Sequence, residues 1–175
     1  MPFVKEGDES NPDVSSLYDE IHKELQIGKI PNILKTTSID PPIAKWFWEG
    51  VKIILLRESS ISRILKESIA VVVSNANSCN YCTQAHSMLL QLMGFDDTKI
   101  NDLKNNFDTF SEKEKAALNY ALKINNSTNK TTADDHRILH ELGYDDKQIV
   151  EITSVVAAFN WANIIADALG TDMEA

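Results

Sequence analysis

The 175-residue chain has little of three residue types that shape a fold: two cysteines, six glycines and five prolines. Two cysteines exclude a fold held by a disulfide framework, and a chain of this length can bury a core without one. All five prolines precede residue 43, so the stretch 43–175 has none. Because sheets and turns need more helix-breaking residues than this, we predict an all-α protein.

Basic residues are also in short supply, since 17 Lys and Arg stand against 26 Asp and Glu, a net charge of −9. This balance argues against generic binding to nucleic acid or to an anionic membrane surface. We find no apolar run near the ~18 residues of a membrane-spanning helix, and no secretory signal at the polar N-terminus. We therefore expect a cytoplasmic protein with neither nucleic acid nor membrane as a partner.

Helical periodicity begins near Asp13, which predicts a flexible segment over residues 1–12 and a single helical domain over residues 13–175. Ser59 or Ser60 is the expected N-cap of a helix ending near Ser74, and residues 125–131 are expected to form a loop. The predicted helices span residues 13–26, a short piece between 31 and 40, 42–56, 60–74, 79–93, 96–105, 112–123, 132–142 and 145–170.

Both cysteines lie in one short segment, which reads Cys79-Asn80-Tyr81-Cys82-Thr83-Gln84-Ala85-His86. On a helix, Cys79, Cys82 and His86 occupy positions i, i+3 and i+7 and share one face. The thiols would lie in or beside the first turn, where free N–H groups and the helix dipole favour a thiolate. Glu67 lies on the preceding helix and can point at the thiols if the two helices pack as an antiparallel pair.

Several other kinds of site use paired cysteines. A structural zinc site needs four ligands, whereas Cys79, Cys82 and His86 supply three. Covalent haem needs a histidine directly after the second cysteine, where Thr83 stands, and a thioredoxin-type motif needs a neighbouring strand, which we do not predict. Two inert, buried cysteines are the alternative that stays open at this point.

The set of Glu67, Cys79, Cys82 and His86 resembles the alkylhydroperoxidase D-like (AhpD-like) branch of the carboxymuconolactone decarboxylase family. Residues 111–121 and 143–170 are similar to the next and the last helix of that family, so the resemblance covers roughly residues 40–172. One departure is Ile164, because relatives often carry an arginine after the asparagine that corresponds to Asn163.

The resemblance implies a fold of about seven to nine helices with a helical-hairpin core, assembled as a trimer or as a hexamer (a trimer of dimers). It further implies a thiol peroxidase in which Cys82 attacks a small hydroperoxide, Cys79 resolves the product, and Glu67 and His86 relay protons. No cofactor or metal is expected, and a thioredoxin-like or lipoyl-type dithiol would reduce the resulting disulfide.

Two features of the sequence give conflicting indications of which thiol attacks the hydroperoxide. The helix dipole favours Cys79, which is nearer the helix N-terminus, whereas the i,i+4 spacing to His86 favours Cys82. We predict Cys82 as the attacking and Cys79 as the resolving thiol, with Glu67 orienting His86. The alternatives are a protein disulfide reductase or electron-transfer adaptor, a decarboxylase of the wider family, and a non-catalytic assembly module.

Other side chains are weaker candidates for the site. Trp46, Phe47 and Trp48 are expected in the core or at a subunit interface, with a substrate entrance as the alternative. Asn160 and Asn163 interrupt an apolar helix and are expected to be buried amides that bridge helices, with a role in a pocket as the alternative. Tyr81, between the cysteines, is expected to shape access to them.

Overall fold

The computed structural model describes residues 1–26 and 28–174, and the described part of the chain is helical with no strand, which confirms the predicted all-α class. A π-helical turn (Lys52–Leu56) extends the third helix and a 3₁₀ turn (Thr128–Lys130) extends the seventh. The α-helices are α1 (Pro12–Leu25), α2 (Asn32–Thr37), α3 (Pro41–Val51), α4 (Arg63–Ala76), α5 (Asn80–Leu92), α6 (Asp97–Asn105), α7 (Glu112–Ser127), α8 (Ala133–Glu141) and α9 (Asp146–Ala168).

The start of α4 corrects one prediction, because its N-cap is Ser62 and neither Ser59 nor Ser60. The Ser62 hydroxyl accepts the backbone N–H of Leu65 at 3.1 Å. The Glu151 carboxylate of α9 instead accepts the backbone N–H groups of Ser60 and Ile61 at 3.2 and 3.0 Å. These bonds attach the segment before α4 to α9 and keep it non-helical, so α4 begins later than predicted.

The predicted loop over residues 125–131 is also wrong, since α7 continues to Ser127 and the 3₁₀ turn follows it. The side chain of Asn125 is held by Asn77 and Asn160, and the Thr128 hydroxyl bonds to the carbonyl of Ile124 at 2.5 Å. These contacts give a polar segment the backbone and side-chain partners that keep it helical.

Helix α4 lies at the centre of the bundle, because ten consecutive residues, Leu65–Ser74, are buried. It packs against α5, α7 and α9. Helix α9 is apolar on all sides and packs against α4, α5 and α7. By length and composition alone α9 could cross a membrane, a test that a core helix also passes.

The apolar interior has two parts. The larger cluster joins α4, α7 and α9 and includes Ile69, Leu118 and Phe159. The second cluster joins α1, α2 and α3 to α5 and α9, and it contains both Cys79 and Cys82. The thiols are therefore buried where the N-terminal helices pack on the rest of the bundle.

The two ends of the chain meet on the surface. The N-terminal amine pairs with Asp172 at 2.7 Å, and the backbone N–H of Phe3 donates to the carbonyl of Leu169 at 2.9 Å. The N–H of Gly7 donates to the carbonyl of Lys35 at 3.0 Å. That residues 1–12 are flexible is a statement about motion and stays a prediction, as does the division into this segment and one domain.

We predict that Leu90→Ala destabilises the protein by about 2–5 kcal/mol, because it removes a fully buried side chain and leaves a cavity. Leu92→Ala is a matched control on the same helix, where the leucine is 85% exposed. Its cost should stay below about 0.5 kcal/mol. Urea unfolding followed by circular dichroism measures both, and equal losses would contradict this packing.

Candidate active site

The turn between α4 and α5 places the cysteine pair. Ser78 adopts a left-handed conformation with φ of +60°, which lets the chain reverse within three residues. The N–H of Cys79 then donates to the carbonyl of Ser74 at 2.9 Å, and Cys79 becomes the N-cap residue of α5. Cys82 follows in the first turn. Both thiols therefore lie at the helix N-terminus, as the sequence predicts.

Glu67 and His86 form a buried pair between α4 and α5. The Glu67 side chain is fully buried, and its Oε2 lies 2.5 Å from Nδ1 of His86. The His86 ring also packs edge-on against Phe159 of α9, with 4.6 Å between ring centroids. The ring is thus fixed on one side by a carboxylate and on the other by an aromatic face, as an oriented proton carrier requires.

Arg63 completes this group and was missed by the sequence analysis. Its Nε donates to Oε1 of Glu67 at 2.6 Å, so the two carboxylate oxygens have different partners. Arg63 is one turn before Glu67 on α4, and this i,i+4 spacing of opposite charges was the signal that could have revealed it.

The pKa of Glu67 is lowered from its ordinary value by its partners. Burial acts in the opposite direction and would raise this pKa, but the attraction and hydrogen bond of His86, followed by those of Arg63, more than offset it. Glu67 is therefore a carboxylate at neutral pH despite being buried.

The two thiols are free and buried. The hydrogen bond from Cys82 lowers the pKa of Cys79 below its ordinary value, against the opposing effect of burial. The same pairing, followed by burial, raises the pKa of Cys82. Within the pair, the thiolate is therefore favoured at Cys79, and Cys82 keeps its proton more strongly.

The sequence allowed Glu67 to point at the thiols, but its hydrogen bonds in the structure go elsewhere. Both of its oxygens are taken by Arg63 and His86. Within residues 1–26 and 28–174, no three His, Cys, Asp or Glu side chains come together as metal ligands. The candidate site thus has two halves on α5: the thiol pair at its start and the Glu67–His86 pair one turn further on.

A cluster of amide side chains borders the thiols and links three parts of the fold. Asn77, in the turn before Cys79, donates to Oδ1 of Asn163 at 2.9 Å and accepts from Asn125 of α7 at 2.9 Å. Asn163 donates to the Ser74 hydroxyl at 2.9 Å. Asn160 donates to Asn125 at 2.8 Å. These bonds confirm that Asn160 and Asn163 bridge helices, although only Asn163 is buried and Asn160 is half-buried.

Both asparagines of α9 also line a surface cleft of about 380 Å³, the alternative that the sequence left open. Its lining residues are Asn77, Asn160, Asn163, Ile164, Asp167 and Ala168. Two of them influence the thiols: the Asn163 side chain opposes the rise in the pKa of Cys82, and the Asp167 carboxylate opposes the fall in the pKa of Cys79. Asp167 had no predicted role, and its position four residues after Asn163 on α9 was the available signal.

The aromatic residues of α3 separate into two environments. Trp48 is fully buried and donates its Nε1–H to Glu20 at 3.0 Å, as expected of a core residue. Trp46 is 62% exposed and packs edge-on against Trp161 of α9, and Phe47 also contacts Trp161. None of the three lines the cleft beside the thiols.

Tyr81 ties the C-terminal tail to the start of α2. Its hydroxyl donates to Glu174 at 2.5 Å and accepts the backbone N–H of Ile33 at 3.1 Å. The N–H of Asn32 donates to the same Glu174 oxygen at 2.8 Å. Tyr81 thus links α5, α2 and the C-terminal tail, and its influence on access to the cysteines stays a prediction.

The protein is thus an all-α protein with a candidate thiol site. Two cysteines lie at the N-terminus of α5, and a buried Glu–His pair links α4 to α5. The sequence model of the carboxymuconolactone decarboxylase family matches residues 41–123. The chain is 32% identical over 131 residues to YdfG of Bacillus subtilis (strain 168), covering 70% of this chain and 88% of YdfG. The chain belongs to the carboxymuconolactone decarboxylase family.

Solved structures show the same architecture. A peroxidase-related protein from Silicibacter sp. TM1040 is 29% identical with a TM-score of 0.85, over 94% of this chain and 86% of that one. The alkylhydroperoxidase AhpD core protein of Ralstonia eutropha JMP134 is 22% identical with a TM-score of 0.90, over 99% and 93%. These matches confirm the AhpD-like fold.

The debrominase Bmp8, solved with 2,3,4-tribromopyrrole, also has this fold. It is 23% identical with a TM-score of 0.81, over 98% of this chain and 91% of Bmp8. The fold therefore supports more than one enzymatic reaction, and the choice of reaction for this chain depends on its own residues.

We predict that, in the Arg63→Gln variant, the free energy of unfolding begins to fall at a higher pH on acidification than in the wild-type protein. Because the folded-state pKa of Glu67 is lowered, its contribution is present above its ordinary value of 4.5 and is lost as pH falls through the folded-state pKa. Removing Arg63 raises that folded-state pKa, so the loss begins sooner on acidification. At neutral pH the variant should lose about 1–3 kcal/mol.

Urea unfolding between pH 3 and pH 7 measures this effect. Arg137→Gln is the matched control, because Arg137 pairs with two exposed carboxylates, Asp134 and Glu141. Such surface pairs contribute about 0–1 kcal/mol. Superimposable pH profiles for the two variants would show that Arg63 does not hold the charge on Glu67.

Proposed function

We propose that this chain is a thiol-dependent hydroperoxidase that reduces small hydroperoxides through Cys79 and Cys82. The observation that carries the proposal is the coupled, unbridged thiol pair at the start of α5, one turn before a histidine fixed by a buried carboxylate. A site of this kind supplies a thiolate, a second thiol and an oriented proton carrier.

The reaction balances with these groups and one external reductant. A thiolate attacks the outer peroxide oxygen, the O–O bond breaks, and a sulfenic acid forms as the alkoxide leaves and takes a proton. The second thiol condenses with the sulfenic acid, which releases water and forms the Cys79–Cys82 disulfide. A thioredoxin-like or lipoyl-type dithiol then reduces that disulfide by exchange. His86 carries the proton, and Glu67 with Arg63 holds its ring in place.

We assign the attack to Cys82 and the resolving role to Cys79. The i,i+4 relation between Cys82 and His86 on α5 supports this assignment, since the histidine can accept the proton that Cys82 holds in the resting pair. The lowered pKa of Cys79 supports the reverse assignment. The difference is open to direct labelling, because each thiol can be studied without the other.

The chain should assemble with copies of itself, as a trimer or a hexamer. Trp46 and Ile43 are 62% and 46% exposed and lie one turn apart on α3, and Trp46 packs against Trp161 of α9. An exposed apolar surface of this kind favours a subunit interface. Light scattering should give three or six chain masses, and a Trp46→Glu variant should shift the population toward smaller species.

Purified protein should consume cumene hydroperoxide when a dithiol reductant is supplied, and the Cys79→Ser/Cys82→Ser double variant should be slower by at least about 100-fold, since it has no sulfur nucleophile. Peroxide loss, measured by a ferrous-iron colour assay, gives the rate. Equal rates for the two proteins would exclude thiol peroxidase activity. Turnover of an oxidised protein partner without peroxide turnover would favour the disulfide reductase alternative.

A sulfenate trap identifies the attacking thiol. Dimedone should label Cys82 in the Cys79→Ser variant after one equivalent of peroxide, because no resolving thiol remains to remove the sulfenic acid. The Cys82→Ser variant should label weakly. Peptide mass spectrometry locates the label, and strong labelling of Cys79 with none at Cys82 would reverse the two roles.

A further inference from the structure

The cleft beside the thiols has an unusual balance of polar groups. Among the described residues that line it, Asp167 is the one that carries a charge, and it is exposed. The remaining lining is three asparagines and the apolar Ile164 and Ala168. The cleft thus has a carboxylate at its rim and no lining cation to neutralise it.

Most of the asparagine donors are already in use and offer little compensation. Each side-chain N–H₂ group already donates within the fold: Asn77 to its neighbouring asparagines, Asn160 to Asn125 and the carbonyl of Val156, and Asn163 to Ser74. An anion in this cleft would meet the Asp167 charge without gaining a strong hydrogen-bond donor.

The cleft borders the reacting groups. Its lining includes Asn163, which is buried, and Asp167, and these side chains act on the pKa of Cys82 and of Cys79, respectively. Helix α9, which carries both, packs in the same apolar cluster as the two cysteines. Both cysteines are almost fully buried, so a small molecule that approaches from this side meets Asn163 and Asp167 first. A volume of about 380 Å³ suits a small organic molecule.

We propose that Asp167 selects substrates by charge, so that neutral and cationic small molecules reach the thiols through this cleft and carboxylate-bearing ones are disfavoured. The inference deepens the proposed hydroperoxidase function, on which its substrate class rests. Ile164 belongs to the same selection, because an apolar side chain at that position leaves the Asp167 charge without a neighbouring counter-ion. The predicted substrate is a neutral organic hydroperoxide and not a fatty-acid hydroperoxide.

Thiol alkylation tests the selection without requiring turnover. Iodoacetamide and iodoacetate place the same reactive carbon on a neutral and an anionic molecule, and the ratio of their rates cancels the thiolate fraction at a given pH. We divide the iodoacetamide-to-iodoacetate rate ratio of the folded protein by the same ratio for the urea-unfolded chain. This normalised ratio should be about five to ten at low salt, as expected of one unit charge close to the reagent's route to the thiols. It should fall as salt is added.

Asp167→Asn should bring this normalised ratio to within about twofold of unity, because the carboxylate is gone while the side-chain size is kept. Asp146→Asn is the matched control at the other end of α9, where the carboxylate is 95% exposed, and it should keep the wild-type ratio. Ile164→Arg is an independent variant that adds a cation to the cleft and should also lower the ratio. Wild-type ratios in both Asp167→Asn and Ile164→Arg would overturn the inference.

A matched pair of hydroperoxides extends the test to turnover. Cumene hydroperoxide and its para-carboxylate differ by one charge, and wild-type protein should favour the neutral molecule in kcat/KM by a similar factor, which Asp167→Asn should reduce. Consumption of both at equal rates would overturn the charge selection while leaving the hydroperoxidase function intact. If neither is consumed, the hydroperoxidase function is wrong, and the alkylation ratio still decides whether Asp167 controls access.

Discussion

The arrangement of this protein depends on one buried carboxylate, Glu67, at the centre of α4. A carboxylate without partners would be costly there, so its burial requires both Arg63 and His86 to be held within hydrogen-bond distance. This requirement fixes the contact of α4 with α5, because His86 lies on the second helix. It also fixes the His86 ring against Phe159 of α9. The position of the proton carrier is therefore a consequence of satisfying a buried charge.

A second polar element, the asparagine cluster, sets the other end of the site. The turn at Asn77 and Ser78 directs the chain into α5, and its amide bonds to Asn125 of α7 and Asn163 of α9 hold that turn in place. A fully bonded network is rigid, whereas one unpaired amide in the same place would be costly. The thiols follow directly after this turn, so their position depends on three helices and not on α5 alone.

Family membership and a shared fold do not by themselves determine which reaction a site of this kind catalyses. Solved structures with this fold include peroxidase-related proteins and a debrominase. What each site accepts depends on the surfaces around the sulfur atoms. In this chain α9, which packs in the same apolar cluster as both cysteines, forms a cleft with the Asn77 turn, and Asp167 lines that cleft.

The sequence alone determined the helical class and most helix positions, because proline-free periodic segments and capping residues act locally. It also indicated that Cys79, Cys82 and His86 share a helix, since their spacing needs no other element. Only the tertiary structure decided that Glu67 bonds to His86, and that Asn163 and Asp167 of α9 act on the thiols. It also decided that Glu151 keeps Ser60 and Ile61 outside α4. Those outcomes depend on contacts between residues far apart in the sequence, such as Ile61 with Glu151 90 positions later, which local patterns do not predict.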